Sequence, residues 1–262
     1  MKFKSILYAL ALLTTLLIPT PIWAWDLSSL QGIDTDYSKA LHSLALEGVD
    51  SYLPLANPDL DGIALICFSH PANDLYMGVG QFMKINAPLE RVTQFLERFE
   101  DYPKWTDGLL SNSAQKLKDG KFLVSSEQHV PIPFVSNVHS KMIYSVEKKD
   151  NKVFFRYQLK SSNSLTAYDG FILLEENKDR TTQYIEYDFW DADWGLGKSF
   201  AKARIWADSL QGIYQWDIAF KLRSENLNIT DHEVLDLSKK KAKIKSLEPC
   251  LSNKVSFKYL AK

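Results

Sequence analysis

Residues 199–223 constrain the fold most, because about 25 consecutive residues without a proline carry apolar side chains at the helical period. Those side chains are Trp206, Leu210, Ile213, Tyr214 and Phe220. At 1.5 Å per residue, a helix of this length spans roughly 37 Å, enough to cross a whole β-sheet. We therefore predict one long helix that buries its apolar face against a sheet.

The chain before this helix is a series of strand-like runs separated by short polar breaks, which suit hairpins between antiparallel neighbours. Within two of the runs the aromatic residues alternate, since Phe155 and Tyr157 share one face of their strand and Tyr187 and Phe189 share one face of theirs. The pattern indicates an antiparallel meander with one buried face and one mostly wet face. The six predicted strands cover residues 114–118, 122–129, 134–146, 153–160, 167–175 and 183–189.

Upstream of the meander, residues 75–85 predict a further strand, and Pro88 marks the start of a short helix, where a missing N–H needs no partner. The stretch FEDYPKWTDG at 99–108 then ends this helical pattern. Because the residue before a proline is pushed out of helical geometry, Tyr102 is a predicted boundary. Trp105 follows on a loop or short turn, where its ring either plugs one end of the core or covers a cavity.

The two ends of the chain differ in character from the middle. Residues 1–24 have a charged start, a short apolar core and Ala24 as a small residue at the cut, the composition of a secretory signal peptide. We therefore expect an exported protein, periplasmic or secreted after cleavage near Ala24, with an uncleaved anchor as the alternative. Residues 25–74 look like an N-terminal extension, and residues 226–262 form a lysine-rich C-terminal tail, by default solvated and partly disordered.

The charge of the chain limits its partners. A net charge of -1 provides no global basic field, so nucleic acid is not expected as a partner. The lysines between Lys239 and Lys245 could contact an anionic membrane, at about 1 kcal/mol for each lysine near a charged surface. A solvated tail is the default for the same residues.

Motifs for cofactors and metals are absent from the sequence. The five histidines and two cysteines show no metal-ligand spacing, and no phosphate-binding or dinucleotide-binding motif occurs. We therefore predict neither a metal nor a cofactor. Cys67 and Cys250 could form a disulfide in an exported chain, which is the interpretation we favour, or could be a buried hydrophobe and a free thiol.

The order of strand, helix, aromatic turn, six antiparallel strands and long C-terminal helix resembles the START-like, or Bet v 1-like, helix-grip superfamily (SRPBCC). The resemblance covers about residues 75–225 and is carried by VGQFMKINAP, LERVTQFLERF, DYPKW and the long helix. It implies an α+β fold in which a curved antiparallel sheet wraps around the long C-terminal helix and leaves a cavity between them. Aromatic residues commonly narrow the entrance in that superfamily, so Tyr102 and Trp105 are candidates for this role, beside plain core packing.

The resemblance implies that the protein binds a lipid or another hydrophobic small molecule between sheet and helix. Two alternatives stay open on the same fold: a cyclase-like or aromatase-like enzyme, which would need converging polar groups in the cavity, and an interaction module with a collapsed pocket. No catalytic residues are predicted. The aromatic turn and the periodicity of strands and helix select nine candidate ligand-binding residues: Trp105, Phe155, Tyr157, Tyr187, Phe189, Trp206, Leu210, Ile213 and Tyr214.

Acidic residues in the same region receive a structural interpretation. Asp188, Asp191 and Asp193 stand in the stretch YDFWDADWG, and acids at a strand end are more often solvated turn residues. Asp217 interrupts the apolar stripe of the long helix, and a buried carboxylate needs a partner or becomes neutral. We therefore place Asp217 at the wet edge of the stripe, beside Lys221.

Overall fold

The computed structural model describes residues 63–70, 73–130, 136–192, 198–242 and 255–256. For 64–70, 73–78, 169, 189, 191–192, 198–207 and 255–256 only the backbone is described. Contacts divide the chain into two compact units, and every described residue falls in the unit Pro54–Phe257. The predicted signal peptide and Cys250 lie outside the described residues. Within the described residues, no helix is long and apolar enough to span a membrane.

The described strands form one sheet in the order β3-β4-β5-β6-β7-β8-β2-β1-β9. From β3 to β8 each strand pairs antiparallel with the next, so the predicted meander of six strands is confirmed. β2 then pairs antiparallel with β8, which joins the predicted first strand to the last strand of the meander. The strands are β1 Ile63–His70, β2 Asn73–Ile85, β3 Leu109–Lys116, β4 Phe122–Gln128, β5 Val138–Lys149, β6 Lys152–Ser162, β7 Leu165–Glu176, β8 Thr182–Ala192 and β9 Val255–Ser256.

The helices are α1 Leu89–Leu96, α2 Tyr102–Trp105, α3 Lys198–Glu225 and α4 Asp231–Lys241, with a 3-10 turn at Phe99–Asp101. The predicted long helix is confirmed as α3. The boundary predicted at Tyr102 is also present, but it opens α2 instead of closing α1, because Pro103 is tolerated in a first helical turn. Gly108 follows α2 with a φ of 75°, a left-handed conformation that favours glycine, and the chain then enters β3.

The hydrophobic core lies between one face of the curved sheet, which we call the inner face, and α3. Phe155 and Tyr157 of β6 are buried in this core together with Leu210, Tyr214 and Ile218 of α3. The face of β6 that carries Phe155 and Tyr157 is therefore the inner face, as their alternation predicts. This arrangement is the α+β helix-grip fold predicted from the order of elements.

The opposite, outer face of the sheet is not mostly wet at its central strands, so that expectation is wrong. Phe171 and Tyr187 stack there with ring centroids 5.6 Å apart, and Phe82 and Ile185 are also buried. The reason is that β2, β7 and β8 carry apolar residues at both sets of alternating positions. Arg156, which is also on this face, places its guanidinium 5.0 Å from the centre of the Phe154 ring.

Both predicted extensions contribute ordered elements. β1 comes from residues assigned to the N-terminal extension, and it pairs with β2. In the C-terminal tail, α4 begins with a capping box between Thr230 and Glu233, and its Val234 is buried against the core. Lys239 forms an ion pair with Asp107 at 2.8 Å. The expected disorder is therefore wrong for α4, whereas its lysines Lys239, Lys240 and Lys241 are exposed as expected, and their contact with a membrane stays a prediction.

The pairing of β9 with β1 leads to an expectation about the two cysteines. Phe68 lies opposite Val255 in this parallel pair, so the residue after Cys67 meets the segment that follows Cys250. We expect a disulfide between them, and thiol titration of the denatured, oxidised protein should find no free thiol. Closing so long a loop stabilises by up to about 5 kcal/mol on the chain-entropy model.

The matched control for this bond is the double variant Cys67→Ser/Cys250→Ser. Reducing agent should lower the melting temperature of the natural protein and leave that of the double variant unchanged. Free thiols in oxidised protein would contradict the pairing.

Candidate functional site

The register of β8 places acidic side chains on the inner face of the sheet. Tyr184, Glu186 and Asp188 alternate along the strand, and hydrogen bonds join Glu186 and Asp188 to Tyr157 of the inner core. All three are buried. The intervening Tyr187 is on the outer face. The inner face of β8 is therefore polar at its centre.

Tyrosine and glutamine side chains surround these two carboxyls. The Tyr157 hydroxyl bonds Glu186 Oε1 at 2.9 Å and makes a shorter contact with Asp188 Oδ1. The Tyr184 hydroxyl donates to Glu186 Oε2, and Gln81 Nε2 donates to Asp188 Oδ2 at 2.8 Å. The five side chains form one connected network, which we call the acid–tyrosine network.

The Tyr157 hydroxyl contacts more acceptor atoms than it has hydrogens. A phenol carries one hydrogen, so Tyr157 donates to only one of its two carboxyl partners. Its second contact is a hydrogen bond only if that carboxyl is protonated and donates to the phenol oxygen. The Tyr157 hydroxyl therefore lies between Glu186 and Asp188, and a proton held by either carboxyl would complete both contacts.

Asp217 approaches the acid–tyrosine network from α3. It is 0% exposed, and neither of its carboxyl oxygens has a hydrogen-bond partner. Lys221, one turn further along α3, instead bonds Glu225 at 2.5 Å and the carbonyl of Lys84. The prediction that Asp217 lies at the wet edge beside Lys221 is therefore wrong, because α3 turns this residue toward the sheet.

Burial and mutual repulsion raise the pKa values of Glu186 and Asp217. Burial raises the pKa of Glu186 well above its ordinary value, and the neighbouring Asp188 and Asp217 raise it further. Burial likewise raises the pKa of Asp217, with Asp188 as the second cause. Among the described residues, neither Glu186 nor Asp217 forms an ion pair, and no three side chains of metal-binding type are grouped to hold a metal ion. A carboxyl that keeps its proton can donate as well as accept hydrogen bonds.

An aromatic cluster borders this region on the side of α3. Trp216 and Phe220 are stacked with centroids 5.0 Å apart, and Tyr184 lies 5.5 Å from Phe220. Trp105 of α2 completes the cluster, 6.2 Å from Trp216, and is only 2% exposed. Tyr102 lies 5.2 Å from Trp105. The aromatic turn therefore packs into the core beside α3.

The structure brings together five of the nine predicted ligand-binding residues. Ile213 is partly buried against the same core, whereas Tyr187 is on the outer face and does not belong with the others. The face of β8 predicted to line the ligand site is therefore the wrong one, because the face that carries Ile185 and Tyr187 is the outer face. Phe189 and Trp206 are among the residues whose side chains are not described. The five residues buried in the common core are Trp105, Phe155, Tyr157, Leu210 and Tyr214.

Sequence reasoning missed Gln81, Tyr184 and Glu186, and it treated Asp188 as a solvated turn residue. Asp188 instead is buried within β8, which continues to Ala192. A signal was present, because Glu186 and Asp188 are two residues apart in an otherwise apolar strand and so must share a face. An acidic pair at this spacing inside a strand predicts either a wet face or a buried polar site.

Gly170 of β7 leaves room for the Tyr157 ring, which leads to a testable expectation. A Cβ at this position would lie 2.7 Å from the ring of Tyr157, and closer still to the Tyr187 carbonyl oxygen. We expect Gly170→Ala to displace the ring and to lower the free energy of unfolding by about 1–3 kcal/mol, as overpacking does. Denaturant unfolding measures this loss.

Gly212 of α3 provides the matched control for this variant. A Cβ there meets nothing within 4 Å, so Gly212→Ala should instead stabilise by about 0.5–1 kcal/mol. A Gly170→Ala protein as stable as the natural one would contradict the close approach of the Tyr187 carbonyl and the Tyr157 ring to Gly170.

The fold is similar to START domains of known structure. The lipid transfer and protein localization domain of human StarD13 (DLC2) aligns with a TM-score of 0.51 at 9% identity, covering 71% of this chain and 96% of that one. Human STARD10 aligns with a TM-score of 0.51 at 10% identity, covering 79% and 88%. The Zhui aromatase/cyclase from Streptomyces sp. R1128 is more distant, with a TM-score of 0.45 at 11% identity, covering 64% and 96%. No family model and no curated protein matches the sequence.

The two alignments with TM-scores above 0.5 establish the fold. The chain has the helix-grip fold of START domains, and the resemblance predicted from the sequence is confirmed at that level.

Proposed function

We propose that the protein binds a hydrophobic small molecule, such as a lipid, between the inner face of the sheet and α3. The observation that carries this proposal is a set of buried polar atoms without a protein partner. They are both carboxyl oxygens of Asp217 and the Oε1 atom of Gln81. A buried polar atom without a partner costs about 1–3 kcal/mol, so a bound molecule that supplies the partner recovers this cost.

The surroundings of these atoms fit a ligand with an apolar body and a polar end. Aromatic and aliphatic side chains from β6, α2 and α3 make up the core around the acids. A molecule that buries roughly 400 Å² of apolar surface gains about 10 kcal/mol before the costs of association. The START fold supports the same proposal, since the name of the StarD13 domain includes lipid transfer.

We also propose that the protein is exported from the cytoplasm. Support comes from residues 1–24, which have the charged start, apolar core and small residue of a cleavable signal. N-terminal sequencing of the mature protein should begin at Trp25. An intact Met1 in purified native protein would contradict export by cleavage.

The experiment that tests binding is mass spectrometry of material extracted from purified native protein. We expect one hydrophobic species in a near-stoichiometric amount. Leu210→Trp, which enlarges a buried side chain on α3, should reduce the amount recovered. Leu227→Trp is the control, because Leu227 is 60% exposed.

Circular dichroism has to show that both variants are folded. An empty natural protein that also takes up no added lipid would contradict the proposal and favour an interaction module with a collapsed pocket.

The acid–tyrosine network favours a second candidate function, a cyclase-like or aromatase-like enzyme. Carboxyls with a raised pKa can serve as general acids, and perturbed groups of this kind gather at active sites. The extracted molecule should then change in mass when it is incubated with natural protein, and Glu186→Gln should prevent the change. An unchanged molecule favours the carrier.

A further inference from the structure

We propose that the polar end of the ligand is an ammonium group, held between Asp217 on α3 and the acid–tyrosine network on the sheet. This inference rests on the proposed function, because it names the class of molecule bound at the same place. The ligand would be an apolar amine, in which a hydrocarbon body carries a protonated amino head.

The first argument is the kind of atom that lacks a partner. The atoms concerned, Asp217 Oδ1 and Oδ2 and Gln81 Oε1, are acceptors in the ionised acid and in the amide. Gln81 and Asp217 are both buried, at 1% and 0% exposure. Both residues interact with Asp188. Gln81 donates to the Oδ2 atom of Asp188, and the charge of Asp188 raises the pKa of Asp217. For each of these side chains the missing partner is therefore a donor.

The second argument is charge. Glu186 and Asp217 are acids without an ion pair among the described residues. The basic side chains closest along α3 are engaged elsewhere: Lys221 bonds Glu225 at 2.5 Å, and Arg223 bonds the carbonyl of Ile229 at 2.7 Å. A cationic head would supply Glu186 and Asp217 with the positive partner that no described residue of α3 provides for them.

The third argument is the aromatic cluster beside Asp217. Tyr184 is near enough to Asp217 for that carboxyl to raise its pKa, and its ring lies 6.3 Å from Trp216 and 5.5 Å from Phe220. Aromatic faces attract cations, and the attraction grows when the cation is desolvated. A head bound at Asp217 would thus meet both a carboxylate and ring faces.

The number of donors distinguishes an ammonium group from other polar heads. A hydroxyl supplies one donor and no charge, whereas a primary ammonium supplies three donors and a positive charge. Three donors match the three unpartnered acceptor atoms. A carboxylate head would add a further negative charge to a buried acidic site, which is unfavourable.

The test compares three ligands with one hydrocarbon chain and different heads: dodecylamine, dodecanol and dodecanoate. Each is titrated calorimetrically into the natural protein below its micelle concentration. We expect dodecylamine to bind about 10- to 100-fold more tightly than dodecanol, the range given by hydrogen bonds to charged groups, and dodecanoate to bind most weakly.

Asp217→Asn should remove most of the preference for the amine and leave dodecanol binding nearly unchanged. The control is Glu147→Gln, which changes an exposed carboxyl on β5 and should leave the preference intact. Equal affinity for amine and alcohol would overturn the ammonium proposal while the apolar-ligand function stands. Failure of all three ligands to bind would overturn both.

A second measurement on the natural protein does not depend on any variant. An alkyl amine keeps its proton up to a pH of about 10, so only the protein titrates between about pH 5 and 8. Binding the ammonium ionises a neutral carboxyl and releases its proton, so amine affinity should rise with pH by up to about tenfold per unit. Dodecanol affinity should stay constant.

The titratable groups around Asp217 and the acid–tyrosine network come from several elements. An amine affinity that does not change with pH would mean that the head meets no titrating carboxyl, and it would overturn the proposal. Tyr184, Glu186 and Asp188 of β8 interact with Asp217 itself. Tyr157 of β6, Tyr168 of β7, Tyr144 of β5 and Tyr102 of α2 interact with Glu186 or Asp188.

Discussion

The protein is expected to lose stability as the pH rises above about 5, by up to roughly 1.4 kcal/mol per pH unit for the Asp217 carboxyl alone, until the pH reaches the raised pKa of that group. Burial, and then the charge of Asp188, raise the pKa of Asp217 well above its ordinary value of 3.8. Between the ordinary and the raised value, the folded chain holds this proton and the unfolded chain has released it. Folding therefore takes up a proton, and a rising pH opposes folding.

Asp217→Asn isolates this contribution, because the amide cannot titrate. The free energy of unfolding of the variant should exceed that of the natural protein by a margin that grows with pH, reaching about 3 kcal/mol over two pH units. Urea denaturation at several pH values measures the margin. Glu147→Gln, at an exposed site, should show no such trend. A margin that is the same at every pH would mean that Asp217 is ionised in the folded protein.

Trp105→Ala should lower the free energy of unfolding by about 3–5 kcal/mol, the range for a large aromatic side chain removed from a core. The physical reason is its burial: the ring is 2% exposed and lies 6.4 Å from Phe220 and 6.2 Å from Trp216 of α3. Removing it leaves a cavity between α2 and α3. Denaturant unfolding followed by circular dichroism measures the loss.

Leu227→Ala is the control for this variant, since Leu227 is 60% exposed and should tolerate truncation within about 0.5 kcal/mol. The same variants separate a core role from an entrance role for Trp105. A Trp105→Ala protein of nearly natural stability but with altered ligand release would contradict the core placement and favour a ring that covers a cavity.

The order of elements could be predicted from the sequence because periodicity is a local property. The strand β6 and the helix α3 differ by only one or two residues at each end from the predicted ranges 153–160 and 199–223. Turn residues between the strands select hairpins, and hairpins lead to an antiparallel meander. These features depend on neighbours in the chain, so one sequence is sufficient for them.

The direction in which a face points could not be predicted from the same pattern. In β8 either set of alternating residues could be the one that meets α3. One set contains Ile185 and Tyr187, and the other contains Tyr184 and Glu186. Hydrophobicity favours the first set, yet the register with β2 and β7 turns it to the outer face. Alternation specifies which residues share a face, and only pairing in the sheet specifies which face meets α3.

Asp217 shows the same division between chain and tertiary structure. Its place on the apolar stripe of α3 was visible in the sequence, but a single acid on such a stripe is usually at the wet edge. Local rules fail most at functional sites, where burial of a polar group is retained at a cost to stability. By itself, the sequence determined the helix-grip order and the residues that share each face. Only the tertiary structure decided that acids from β8 and α3 meet in the core, because that meeting depends on sheet register and helix rotation.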